Sequence, residues 1–447
     1  METLTHNEII TRLCQSGYPT YLVGGAIRDL FAGFDPDDFD ITTAATPEQI
    51  AEVFKGCQVG TFGNTFGVTV VNGIDVATFR YDTYPNGNGA KKCIVKYADN
   101  IHDDLARRDL TINALSLCPL TGDVIDNHNG RAHLQKRIIK FVGDPVARIT
   151  EDPNRIIRAC RFLAKFQGTF DTSTLQALRD NIHLVDRIDP ERVGIEVKKA
   201  LLLPHPSLFF SALQVIGALQ RIFPGFEACV NHPHGQYHKE DVWQHSLLAG
   251  DKISAKYPLV RLAGFLHDAG KPIAFARNTD GSFVGHEVLG SDVVNTWLSA
   301  LKFSNDDRLF VVGLVRAHMW GGSQDSSRKA VRKLLFRLNE LGVDIRSWLR
   351  LRIADRHANL LKDDFSLREI ITRAKEVGIG AVIEAVPLST HALVVTGGEL
   401  ITQFNLPRGP IVSKLQKKLL EFVLENGSDF NNREALLEET LKILPGL

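Results

Sequence analysis

Asp38 and Asp40 stand two residues apart in DPDDFDITT (35–43). In an extended segment alternate side chains share a face, so the two carboxylates point one way while Phe39 and Ile41 point the other, toward packing. Carboxylates at that spacing can grip one or two Mg2+ ions, hard cations that take carboxylate and phosphate oxygens together. Two such ions activate an attacking hydroxyl and steady a leaving pyrophosphate. A lone D-x-D is by default a solvated acidic loop, but this one follows YLVGGAIRDLF (21–31), an apolar strand, two glycines and a helical pattern from near Ala26. Gly24 and Gly25 let backbone approach a phosphate, the helix start offers free N–H groups, and Arg28 adds a forked charge. The plain alternative is an ordinary strand-to-helix turn. Asp75 in GIDVATFR, with Val76 facing the other way, is the candidate third carboxylate or else a strand-end aspartate.

A second chemistry is written in EDPNRII (151–157). Asp152 and Arg155 are three apart on a predicted helix and share a face. Paired acceptors on Asp and paired donors on Arg can imitate the Watson–Crick edge of a base. The same residues also make a standard helix start, Asp152 as N-cap, Pro153 in the first turn, and Glu151 with Arg155 as an i,i+4 ion pair. Arg158 and Arg161 continue one side of that helix, toward nucleotide or RNA phosphates or toward solvent.

The elements that must carry these residues divide the 447-residue chain. A length prior of roughly 150 residues per domain suggests about three domains. Residues 1–145 mix β-rich runs (TYLVG, FGVTVV, IDVATF) with amphipathic stretches, an α/β head. From Thr150 helical runs dominate: RIIRACRFLAKF, STLQALRDNI, GIEVKKALLL, SLFFSALQVIGAL. NHPHGQYHKED (231–241) breaks them, and AVPLSTHALVVTGGEL precedes a last pair of helices. Soft boundaries near 145, 225 and 370 give units of 1–145, 146–225, 226–370 and 371–447. The first residues carry a helical pattern of Ile9, Ile10 and Leu13 and no basic, apolar leader. No stretch approaches a membrane span, and six scattered cysteines without a C-x-x-C pair predict reduced thiols and a cytoplasmic setting. With 52 basic and 52 acidic residues, no global positive field either supports or excludes RNA.

LVGGAIRDL…DDFDI, DLARRDLTINAL (104–115), EDPNRIIRACRFLAKF (151–166) and PERVGIEVKKAL (190–201), in this order, resemble the class II tRNA nucleotidyltransferases, a family of CCA-adding, CC-adding and A-adding enzymes and bacterial poly(A) polymerases. The resemblance implies an α+β protein, with a polymerase-β-type head on a mixed sheet, then an all-α neck, body and tail. It implies that Asp38 and Asp40, with Asp75, are the Mg2+-binding catalytic carboxylates, and that Gly24, Gly25 and Arg28 hold the triphosphate. Arg107, Arg108, Asp109 and Asn113 would link nucleotide sugar and phosphates to the head, with a salt-bridged helix start as the bland alternative. Asp152 and Arg155 would pair with CTP or ATP in place of a template, and tRNA would be the partner. The 26-residue segment between TFR and RRD, containing TYPNGNGAKKC, is full length where CC-adding relatives are short. The acidic, helical C-terminus differs from the basic extension of poly(A) polymerases. Lys414, Lys417 and Lys418 of the tail could meet tRNA phosphates, with salt-sensitive binding as the sign.

His245, the pair His267 and Asp268 on a predicted helix, and Asp355 match the H…HD…D order of the HD phosphohydrolases, with His286 and His318 where some of those proteins place further ligands. Imidazole with carboxylate suits transition metals such as Mn, Ni or Co better than Mg2+. The sequence reading is therefore a CCA-adding enzyme with an appended phosphohydrolase acting on 2′,3′-cyclic or terminal phosphates. The competing readings are an A-adding or poly(A) enzyme, and an RNA-binding factor with an inactive head. Oligomeric state is not encoded in any motif.

Overall fold

Thr5 and Glu8 open the first helix, α1 (His6–Gln15), by capping each other's backbone N–H, a reciprocal capping box. Its apolar face, Ile9, Ile10 and Leu13, is fully buried, worth about 2 kcal/mol per side chain. The computed structural model describes residues 4–36, 39–62, 67–84, 94–320, 327–361 and 386–447. The chain divides into two units, Met1–Glu227 and Ala228–Leu447.

In the first unit the strands β1 (Thr20–Val23), β2 (Asp40–Thr43), β3 (Val59–Phe62), β4 (Val68–Val71) and β5 (Ile74–Thr78) join β8 (Ser116–Leu117) and β9 (Val124–Ile125) in one sheet, ordered β3-β4-β5-β2-β1-β8-β9. It is mixed, as expected: β2 runs parallel to β5 and antiparallel to β1. Leu22, Ile41 and Val76 pack on α1 from one face, with Phe39 partly buried beside them, while Val23 packs with Phe79 and Leu105 on the other. Phe39 and Ile41 thus both face the core, as the alternation required. Strands β6 (Arg80–Thr83) and β7 (Ile94–Tyr97) form a separate antiparallel ribbon. The expected loop thereby begins as a strand, and its TYPNGNGAKKC tip lies largely outside the described residues.

The helices α2 (Gly25–Phe31), α3 (Pro47–Val53), α4 (Ile101–Ala106) and α5 (Gly130–Gln135) flank the sheet residues in sequence. They are followed by α6 (Pro145–Glu151), α7 (Asn154–Phe166), α8 (Thr172–Asp180), α9 (Pro190–Ala200), α10 (Ser207–Ile216) and α11 (Leu219–Ile222). The helical stretch has one departure from all-α, a two-residue parallel pairing of β10 (Ile138–Ile139) with β11 (Thr169–Phe170). Asp152 is not on a helix: it is extended between α6 and α7, because a residue before proline is driven out of helical geometry.

The second unit is helical: α12 (Val242–Lys252), α13 (Pro258–Leu266), α14 (Lys271–Arg277), α15 (His286–Ala300), α16 (Asn305–Ala317), α17 (Arg328–Glu340) and α18 (Ile345–Ala358). Three helices end it, Gly397–Phe404, Pro410–Asn426 and Arg433–Ile443, not the expected pair. GGEL, read as a break, starts the first of them because Thr396 caps Glu399 N–H at 3.2 Å. Lys414, Lys417 and Lys418 are exposed on the second. Among the described residues Cys14, Cys57, Cys118, Cys160 and Cys229 are free thiols. No described helix is long and apolar enough to cross a membrane.

Candidate active sites

Strand β1 ends, and β2 begins, at the same edge, since Val23 pairs with Asp40. Gly24 follows with φ 75°, and a Cβ there would lie 3.1 Å from Asp40 Oδ2 and 3.2 Å from Arg108 Nη1. Glycine therefore both permits the turn and keeps open the space beside the carboxylate. That space is a cavity of about 650 Å3, lined by Gly24, Gly25, Arg28, Asp40, Arg107, Arg108, Asp109, Asn113, Asp152, Arg155, Arg158 and Arg161. Residues drawn from three separate sequence motifs thus converge on one wall, in the size range of small-molecule sites. Asp38 lies outside the described residues. Asp75 precedes Val76 as Asp40 precedes Ile41 in the parallel register, but it is exposed and outside this lining. Among the described residues the head carboxylate that does reach the wall besides Asp40 and Asp109 is Asp82 of β6.

Behind the wall runs a chain of buried polar contacts. Arg28 forks onto Asp29 at 2.8 Å and donates to Asn113 Oδ1 at 2.7 Å. Asn113 donates to Asp109 at 2.8 Å, and Arg158 donates to the other Asp109 oxygen at 2.8 Å. Arg161 pairs with Glu196 of α9. Burial alone would raise the Asp109 carboxyl, but the Arg158 charge and the hydrogen bonds from Asn113, Arg158 and Leu110 N–H hold it well below the usual range. Arg28 is thus tied into the frame and is not a freely offered fork.

The bland alternatives are built here too. Arg107 and Arg108 both pair with the buried Asp104, at 2.8 and 3.2 Å. Asp152 accepts from Asn154 N–H at 3.2 Å, and Arg155 meets Glu151 at 2.7 Å. Both oxygens of Asp152 also receive Arg192, at 2.9 and 2.7 Å. Arg158 and Arg161 are paired and partly buried, not a solvated face. The lining residues the sequence reading missed are Arg80, Asp82, Tyr84, Phe162 and Lys199. The guanidinium groups of Arg28 and Arg161 lie over the Phe162 ring, at 4.8 and 4.4 Å. Among the described residues eight lining Arg and Lys face four lining carboxylates, an excess that suits a polyanion.

The second unit gathers all six of its predicted ligands. His267 and Asp268 lie in the turn after α13, not on the helix, and that turn presses on α15: a Cβ at Gly270 would come 2.1 Å from the His286 carbonyl oxygen. His245, His267 and Asp355 form one group of potential metal ligands, and Asp268, His286 and His318 another. Asp268 Oδ2 faces His267 Nε2 at 3.2 Å, and its Oδ1 faces His286 Nε2 at 3.3 Å. Nδ1 of His267, His286 and His318 meets the carbonyl oxygens of Gly264, Phe283 and Val315 at 2.9, 2.8 and 2.6 Å. A carbonyl only accepts, so each Nδ1 carries the proton and each Nε2 turns a lone pair inward.

This donor set fits a cation. The Nε2 atoms of His286 and His318 stand 3.1 Å apart, lone pair against lone pair, and among the described residues the buried His267 Nε2 has no hydrogen-bond partner. Burial and the neighbouring His267 and His286 push His318 down to about 3. Burial opposes charge on His245 as well, but hydrogen bonds to Asp355 and Glu240 push it up to about 9. Glu240, at 3.0 Å from His245 Nδ1, was missed in sequence, as were His234 and Lys271, which lies 2.8 Å from Asp268. Asp268, His286, His318 and Asp355 line a cavity of about 590 Å3 that also exposes Lys271, Arg352 and Arg356.

The comparisons agree with this architecture. The sequence matches a model of the poly A polymerase head domain over residues 20–140, and one described as the probable RNA and SrmB-binding site of polymerase A over residues 169–230. The multifunctional CCA protein of Paraburkholderia phymatum is 35% identical over 318 residues, 67% of this chain and 73% of that protein. The CCA-adding enzyme of Geobacillus sp. strain WCH70 is 38% identical over 216 residues, 47% of this chain and 52% of that enzyme, so the match spans about half its length. The crystal structure of the Bacillus stearothermophilus CCA-adding enzyme in complex with CTP shares the fold, with a TM-score of 0.69 over 98% of each chain at 23% identity. The chain belongs to the class II tRNA nucleotidyltransferase family.

Proposed function

We propose that this chain is a CCA-adding tRNA nucleotidyltransferase, using CTP and ATP, with a metal-dependent phosphohydrolase centre in its second unit. The observation that carries the first part is the cavity where Asp40, the Gly24 turn, the Arg107–Asn113 cluster and the Asp152/Arg155 pair meet. Asp40 offers the hard oxygen donor beside an opening kept clear by Gly24, and with Asp38 it would hold Mg2+. The ion, when bound, supplies charge neutralisation for the 3′-oxygen and the departing pyrophosphate. Arg107, Arg108 and Lys199 line the cavity and would meet triphosphate oxygens. The RNA 3′-hydroxyl gives its proton to water, its oxygen bonds to the α-phosphorus, the bond from that phosphorus to the bridging oxygen breaks, and pyrophosphate leaves. Asp152 supplies acceptors and Arg155 donors for a base edge, exchanging their contacts with Arg192 and Glu151 for the nucleotide.

The reading is tested with tRNA ending at the discriminator base, supplied with CTP and ATP separately and together. Incorporation of C, C and then A supports it. Addition of A alone to tRNA ending in CC points to an A-adding enzyme, long A tracts to a poly(A) polymerase, and no incorporation with Mg2+ to an RNA-binding factor.

Two variants probe the parts. Gly24→Ala forces an alanine into left-handed backbone, at a strain of about 1–3 kcal/mol, and puts its methyl beside Asp40. We expect a lower Tm and at least a roughly tenfold loss of kcat/KM for CTP; unchanged kinetics would reduce Gly24 to a turn. Arg155→Ala should weaken discrimination among the four nucleoside triphosphates by about tenfold, the scale of one lost charged hydrogen bond, while RNA affinity holds. A variant that melts earlier but keeps its nucleotide preference would leave Arg155 a helix-start residue.

The second centre is proposed to hold a transition metal such as Mn, Ni or Co through His245, His267, Asp268 and Asp355, with His286 and His318 as further ligands. That metal would supply an activated water for a 2′,3′-cyclic or terminal phosphate. Lys271, Arg352 and Arg356 line the cavity and would receive the phosphate oxygens. Cleaning a damaged RNA end would precede rebuilding it in the first unit.

A further inference from the structure

The first unit has a second cavity, of about 850 Å3, that takes no part in the chemistry above. It is built on the same two helices as the catalytic one. Helix α2 sends Gly25 and Arg28 to the catalytic cavity and Phe31 to this one, and α7 sends Arg155, Arg158, Arg161 and Phe162 to the first and Lys165 and Phe166 to the second. The Arg28 guanidinium lies over both Phe162, at 4.8 Å, and Phe166, at 5.5 Å. One layer of side chains therefore separates the two cavities.

The lining is aromatic and cationic. Phe34 is 50% exposed, the Arg131 guanidinium sits 4.8 Å over the Phe31 ring, and Lys165 Nζ lies 5.9 and 5.6 Å over Phe34 and Phe166. Arg131 and Arg137 are exposed, and among the described residues neither guanidinium has an acidic partner. Among the described residues the one acid on this wall, Asp126, is already satisfied by the N–H groups of Gly130 and Arg131, at 2.6 and 3.0 Å. The wall is also held in shape. Arg137 and Gln167 are both left-handed, at φ 56° and 50°, and a Cβ at Gly168 would lie 2.2 Å from the Arg137 carbonyl oxygen, so the two turns are pressed together.

The exposed Phe34 ring beside unneutralised guanidinium groups suits single-stranded nucleic acid, whose bases stack while its phosphates meet the cations. An apolar peptide would leave both arginines unneutralised. We propose that this cavity holds the single-stranded stretch of RNA immediately upstream of the 3′ end being extended. The assignment rests on the nucleotidyltransferase reading for which RNA end is meant, and on the cavity alone for RNA binding.

The test is fluorescence anisotropy with a tRNA-like hairpin bearing a single-stranded 3′ tail, without nucleotides, over a range of salt. For Arg131→Ala/Arg137→Ala the expected result is roughly tenfold weaker binding. The slope of log affinity against log salt should be shallower by about 1.4, two phosphate contacts at about 0.7 each on a single strand. Phe34→Ala should weaken binding about tenfold with the slope unchanged, as loss of a stacked base does. At saturating RNA, kcat and KM for CTP should match wild type. Arg131→Lys/Arg137→Lys should restore the slope, which separates charge from misfolding. Unchanged RNA affinity and slope in folded variants overturn the proposal, also if a protein partner is lost instead. If wild type adds no nucleotide but the variants lose RNA affinity, the nucleotidyltransferase reading fails and the cavity assignment stands; active wild type with unaltered variant binding gives the reverse.

Discussion

Asp40→Ala should abolish incorporation of both CTP and ATP, by at least about a thousandfold in kcat, near 4 kcal/mol of transition-state stabilisation, while RNA affinity stays within about twofold. The asymmetry follows from where Asp40 lies. It is exposed at the start of β2, away from the apolar contacts of Ile41 and Leu22 that hold the sheet, so its removal takes a metal-binding oxygen and little packing. The surfaces proposed to hold RNA lie on other elements. The measurement is single-turnover extension of tRNA in Mg2+, with RNA binding followed in parallel. Substantial turnover by a folded Asp40→Ala protein would move the catalytic centre elsewhere in the chain.

His267→Ala/Asp268→Ala should remove the proposed phosphohydrolase, again by at least about a thousandfold, because it deletes one ligand from each of the two groups around Asp268. Hydrolysis of 2′,3′-cyclic nucleotides with Mn2+, Ni2+ or Co2+ is the activity readout. Metal retained after dialysis is the independent one: wild type should hold it and the variant should not. CCA addition to intact tRNA should persist, since the two centres belong to different units. A wild type that hydrolyses none of these phosphates and retains no metal would leave the cluster a structural feature. A folded double variant that has lost nucleotide addition would mean that the two centres are coupled.

What could be read from the sequence is what local rules govern. The strand–Gly–Gly–helix of residues 20–31 and the apolar periods of α1 and α7 were legible because backbone freedom and side-chain spacing act over a few residues. Three residues depart from the helical pattern for equally local reasons: Asp152 adjoins a helix that Pro153 does not let it join, and His267 and Asp268 follow a helix that ends at Leu266. The missed residues depend on distant partners. Asp82 reaches the cavity only because the ribbon carrying it meets Arg107, 25 residues on. Glu196 had left a signal, a carboxylate on the apolar stripe of Val193, Val197 and Ala200, since a charge in such a stripe needs a buried counter-charge. Glu240 left one as well, within a segment read only as a break.

Helix α7 presents Arg155, Arg158 and Phe162 to one cavity and Lys165 and Phe166 to the next. Each residue of a helix advances it by about 1.5 Å and turns it by about 100°, so this order of side chains works as a graduated scale along which two sites are spaced. Exchanging one residue alters a single mark on the scale. Inserting or deleting one rotates every mark beyond it away from its cavity, so length, more than composition, is the property of this segment that evolution and engineering are least free to change.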